Sequence, residues 1–183
     1  IVTDNVYGDW LGYDNQEGKI DRGFLTAPYF YYCGCLLAEM ADVIGEDHTE
    51  LDAYLDNVYQ ALQNTYNKET YFSTETQTAN AMALDFEIVP PENKEAVVQT
   101  LVNAVTNANT TIKTGVLGTK SIYSALGEAN QHKTLLDMTI TPEKCSFGYM
   151  IDNGATTLWE YWDKAGETFN SNLTPGNAVL DSQ

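Results

Sequence analysis

Apolar residues recur along this chain at spacings of three and four, and strict alternation is rare. That rhythm belongs to helices that bury one face. Leu37, Met40, Ala41 and Ile44 mark the first such face. Thr26 predicts its N-cap, Pro28 suits its first turn, and Gly45 ends it. A second helix is predicted from just after 47 to about 66. Leu51, Tyr54, Leu55, Val58, Tyr59 and Leu62 form its stripe. A third spans about 75–86. Pro90 and Pro91 close its connection and open a fourth, striped by Val97, Val98, Leu101, Val102 and Val105. Residues 113–119 read as a glycine-bearing loop into a helix ending near Gly127, and a short helix follows over about 130–138. Residues 1–24 carry Gly8, Gly12, Gly18 and Gly23 among polar neighbours and read as one long loop.

The order is therefore helix, short loop, helix, with no set of strands and no fixed repeat period. It predicts an all-α fold, a curved stack of helical hairpins whose loops and helix ends carry function. With 183 residues, 43% of them hydrophobic and 11% aromatic, the chain has material for a packed interior. No apolar run reaches the length of a membrane span. The net charge of −17 argues against nucleic acid or an anionic membrane as a partner and suits a neutral ligand. Compartment is not readable. The first residues resemble neither a start nor a signal peptide, and the chain reads as an excerpt of a longer, soluble polypeptide, periplasmic or secreted in one reading. Cys33, Cys35 and Cys145 read as small buried apolar residues. His48 and His132 lie far apart in polar segments, which makes no zinc site, and no metal or other cofactor is implied.

The chemistry concentrates in Gly154-Ala155-Thr156-Thr157-Leu158-Trp159-Glu160-Tyr161-Trp162-Asp163. Tryptophan faces cover the C–H faces of sugars, and a carboxylate between two of them can handle a proton or a water. The rival reading is a helix beginning near Thr157 that buries its aromatics. Gly8-Asp9-Trp10-Leu11 is a second aromatic–carboxylate cluster, in a loop. Gly115-Val116-Leu117-Gly118-Thr119-Lys120-Ser121 lacks the spacing of a phosphate loop and reads as a tight turn or helix start. Asn109 and Asn172 match a glycosylation pattern too short to carry weight. Sugar hydrolysis needs two carboxyl groups. Glu160 is the candidate for one. Asp9, Asp152 and Asp163 have no context that marks the other.

In chain order, Gly8 to Leu11, the Tyr29 to Tyr32 helix, Thr114 to Thr119, and Ser146-Phe147-Gly148-Tyr149-Met150 leading into Gly154 to Trp162 resemble the catalytic domain of bacterial α-L-rhamnosidases, glycoside hydrolase family 78. The resemblance covers nearly the whole chain, and the stretch ending in Trp159-Glu160 is its most specific part. It implies that 1–183 is part of an (α/α)6 barrel with its site at one end. It also implies inverting hydrolysis of terminal α-L-rhamnosyl residues, without a cofactor, on a rhamnose-containing glycoside or polysaccharide. Glu160 takes the place of the family's general base, and Trp10 that of a tryptophan lining the rhamnose pocket. Asp9, Trp159 and Trp162 fall to the pocket wall or its support, and Gly115 to Thr119 to a loop at the barrel mouth.

The family's general acid lies in an acidic motif upstream of the Gly8 cluster, before this chain begins, and a later Asn-His pair falls at about its end. The excerpt is thus expected to be inactive alone and to fold only with the remainder of the parent polypeptide. Two other readings stay open: another (α/α)-barrel glycosidase or polysaccharide lyase, and a helical carbohydrate-binding protein without catalysis.

Overall fold

The structure, a computed structural model, describes residues 7–162. It contains eight α-helices among those residues: α1 Tyr13–Gln16, α2 Arg22–Ile44, α3 Thr49–Tyr66, α4 Gln77–Asp85, α5 Lys94–Asn107, α6 Val116–Glu128, α7 His132–Ile140 and α8 Phe147–Asp152. A 3-10 turn at Pro91–Asn93 leads into α5, and a lone bridge between Asn67 and Phe72 is the one extended pairing described.

Burial sorts the helices into two layers. Gln77 to Leu84 of α4 are all buried, so this helix is covered on every side. It packs on α6 and α2. Outside it, α3 buries Leu55, Val58 and Leu62, and α5 buries Val97, Leu101 and Val105, one stripe each. The sequence periodicity was sharpest in these outer helices because each divides water from core along its whole length.

Several boundaries differ from expectation. α2 starts at Arg22, because Asp21 accepts hydrogen bonds from the amides of Gly23 and Phe24. Pro28 thus lies inside the helix rather than in its first turn. α6 starts at Val116, so Leu117, Gly118 and Thr119 are helical rather than loop. The face expected of Leu37, Met40 and Ile44 is exposed, as are Phe30 and Val43 on the same helix. Nothing among the described residues covers it. For the same reason Cys33 is exposed and Cys35 only half-buried, and the expectation of buried cysteines holds at Cys145 alone. No helix among the described residues is long and apolar enough to cross a membrane.

The segment before α2 lies across the helix starts and supplies a carboxylate to three of them. Asp21 caps α2. Asp14 accepts from the Gln77 amide at the start of α4. Asp9 accepts from the amides of Gly115, Leu117 and Gly118 at the start of α6. Each anion meets the positive end of a helix dipole and several amides that have no partner within the helix.

Candidate active site

After α8 the chain turns at Gly154, which has a φ of +85°, and continues without regular structure to Trp162. No helix begins at Thr157, so the helix of the rival reading fails, while its burial of the aromatics holds. Trp159, Tyr161 and Trp162 are buried and Glu160 is exposed. Trp159 meets the Tyr149 ring edge-on at 6.3 Å. Trp162 packs against Phe147 at 5.4 Å and donates its indole N–H to the Thr114 carbonyl at 2.8 Å. These anchored rings leave the Glu160 side chain on the rim.

Glu160 opens into a cleft of about 400 Å³. One wall is Gly115, Val116, Thr119 and Lys120 at the start of α6; the other is Phe147, Met150 and residues 158–162. Leu11 also lines it. The walls are mostly apolar, with a carboxylate and an ammonium among them, the composition of a small-molecule pocket. The Lys120 ammonium lies 5.5 Å from the centre of the Tyr32 ring. Sequence reading missed Lys120, and only its place one turn into α6 reveals it.

Trp10 is 39% exposed and stands edge-on to Tyr7 at 5.8 Å. It does not line the Glu160 cleft, but its carbonyl accepts the Val116 amide of the cleft wall at 2.8 Å. Asp9 is 0% exposed. One oxygen accepts from the Thr78 hydroxyl at 2.5 Å and the Gly115 amide at 2.7 Å; the other accepts from Leu117 at 2.8 Å and Gly118 at 3.1 Å. Asp152 ends α8 with its side chain exposed. Asp163 and Asn172 lie outside the described residues.

Sequence reading also missed the polar first turn of α4. The Gln77 side chain donates to the Thr111 carbonyl at 2.9 Å and accepts from the Lys113 amide at 2.8 Å. Asn80 accepts from the Phe72 amide and donates to the carbonyls of Thr74 and Thr76. The available signal was three polar residues opening an otherwise apolar helix.

A larger cavity, about 680 Å³, is bounded by Asp14, the start of α4 and the end of α5. Its lining has neither Glu160 nor any aromatic ring. Burial holds the Asp14 carboxyl above its ordinary range, while Lys19, the Gln77 amide and Lys113 pull the other way. No group of residues suited to a metal occurs among those described.

A hairpin stack whose helix starts meet at an aromatic cleft with an exposed glutamate is the architecture of an α-helical glycosidase domain. The sequence model described as the bacterial α-L-rhamnosidase six-hairpin glycosidase domain matches residues 2–176, and the chain belongs to that family. An α-L-rhamnosidase of Formosa agariphila is 30% identical over 176 residues, 91% of this chain and 19% of its own length. One from Streptomyces avermitilis is 30% identical over 161 residues, 86% of this chain and 15% of its own length. The chain thus spans less than a fifth of these relatives. The crystal structure of the Streptomyces avermitilis α-L-rhamnosidase complexed with L-rhamnose superposes with a TM-score of 0.85 at 26% identity, covering 95% of this chain and 16% of that one. The Dictyoglomus enzyme structure gives 0.78 at 27% identity, over 90% of this chain and 19% of its own. The fold is accordingly part of an (α/α)6 barrel.

Proposed function

We propose that this chain supplies the water-activating side of an α-L-rhamnosidase site, with Glu160 as general base. The observation that carries the reading is the exposed Glu160 carboxylate held between buried aromatic residues in a cleft, on a chain of this family. In this reading Glu160 takes a proton from a water as that water attacks the anomeric carbon. The glycosidic C–O bond breaks on the opposite face, and a general acid elsewhere in the full-length polypeptide protonates the departing oxygen. The sugar configuration inverts and no covalent glycosyl intermediate forms. Trp159 and Trp162 support the pocket from behind, and the exposed Trp10 ring, beside the cleft rather than in its lining, extends the sugar-binding surface past the rim. The substrate is a terminal α-L-rhamnoside, of which a relative's crystal structure holds the free sugar.

A general base acts mainly in the transition state, so Glu160→Gln should lower kcat ~10²–10⁴-fold with little change in KM. The assay is hydrolysis of p-nitrophenyl α-L-rhamnoside by the full-length protein. Near-normal turnover in the variant would remove Glu160 from the role. A folded wild type that binds rhamnose without hydrolysing the glycoside would leave a carbohydrate-binding protein.

A further inference from the structure

Asp9 holds no solvent-exposed surface, yet its carboxylate gathers four donors from two helices distant in sequence. Its neighbours interlock just as closely. A Cβ added at Gly115 would lie 2.1 Å from the Trp10 carbonyl oxygen, and one at Gly12 2.7 Å from the Gly115 nitrogen. At Gly118 it would lie 2.9 Å from the Asp9 carboxylate. Leu11, between Trp10 and Gly12, has a φ of +68°, a conformation costly for a leucine and kept only where its surroundings impose it. Thr114, just before Gly115, carries the carbonyl that anchors Trp162, two residues past Glu160. The two glycine motifs are therefore one backbone-to-backbone junction, with Asp9 at its centre.

We infer that Asp9 is a positioning residue: it locks the Trp10 loop to the start of α6 and so sets one wall of the Glu160 cleft without touching the sugar. This rests on the Glu160 cleft being the rhamnoside site. An asparagine keeps the shape but puts an N–H₂ where one oxygen stood, so at least one α6 amide faces a donor. Asp21 is the control. It is also a helix cap, but on α2, whose residues do not line the cleft.

The test compares Asp9→Asn, Asp21→Asn and Thr78→Val in the full-length protein. Both Asp variants should melt earlier. Only Asp9→Asn should speed amide exchange in the 113–119 peptide, by about tenfold or more, and both raise KM and lower kcat for the aryl rhamnoside. Thr78→Val removes one of the four donors and should shift exchange and KM the same way by a few-fold, so it decides the matter if Asp9→Asn does not fold. Wild-type exchange at 113–119, or kinetic constants within about twofold of wild type, in either folded variant overturns the assignment. If Glu160→Gln also keeps full turnover, the site reading falls, while the exchange contrast between Asp9→Asn and Asp21→Asn still judges the clamp.

Discussion

At the scale of single residues, exposure separates the aromatic side chains into two roles. Trp159 and Trp162 are packed and hydrogen-bonded inside, whereas Trp10 keeps two-fifths of its surface open at 39% exposure. A large ring that covers a sugar face contributes ~1.5–3 kcal/mol from buried apolar area. Trp10→Ala should accordingly raise KM ten- to a hundred-fold while kcat holds, the pattern of lost uniform binding. Unchanged steady-state constants would show that no sugar rests on Trp10. Glu160 was singled out from sequence because a carboxylate among tryptophans after a glycine turn is a rare local pattern, and the structure puts it on a cleft rim. Asp9 was expected in the pocket wall or its support, but its partners were not readable, because they lie up to 109 positions away and no local spacing reports them.

At the scale of helices, the apolar stripes followed the solvent boundary, although the fully buried α4, expected at about 75–86, was also found, at Gln77–Asp85. α3 and α5 each bury one stripe; α3 was found within a few residues of both ends and α5 within a few residues of its start. α4 is buried all round and offers little periodicity. The start of α6 was left open between a tight turn and a helix start, because its cap comes from Asp9 rather than from the preceding residues. The α2–α3 turn holds a titratable pin. His48 bonds Asp42 near the end of α2 and Asp52 in the first turn of α3, at 3.0 and 2.9 Å. These bonds raise its pKa above the ordinary 6.5. The protonated ring is the form that is stabilised, so the pin is fully present below about 6.5 and is lost as pH rises through the raised value. The difference in Tm between wild type and His48→Asn should shrink from pH 6 to pH 9. A difference that stayed constant over that range would show the pin to be uncharged.

At the scale of the molecule, the helix row is open at both ends. Leu37, Met40, Val43 and Ile44 are exposed on α2, and Leu136, Ile140 and Ile151 on α7 and α8. Val43 reaches 87% exposure. A patch of this kind is normally covered by a partner surface. The chain spans 19% of its Formosa relative, and we propose further helices of the same barrel as the cover. The isolated segment should melt broadly and bind apolar dyes, and a single sharp calorimetric transition would contradict this. The helical class was readable because helix follows helix with no strand between them among the described residues. The open faces appeared from sequence as ordinary core stripes, since periodicity marks a buried face without naming what buries it.

We propose that Glu160 delivers water to the face of the sugar opposite the leaving group. The most direct measurement gives full-length Glu160→Ala an aryl α-L-rhamnoside with sodium azide. The shortened side chain leaves room for an anion that needs no base. The account predicts restored turnover and a β-L-rhamnosyl azide, read by proton NMR. No restoration in a folded variant, or an α-configured azide, would contradict it.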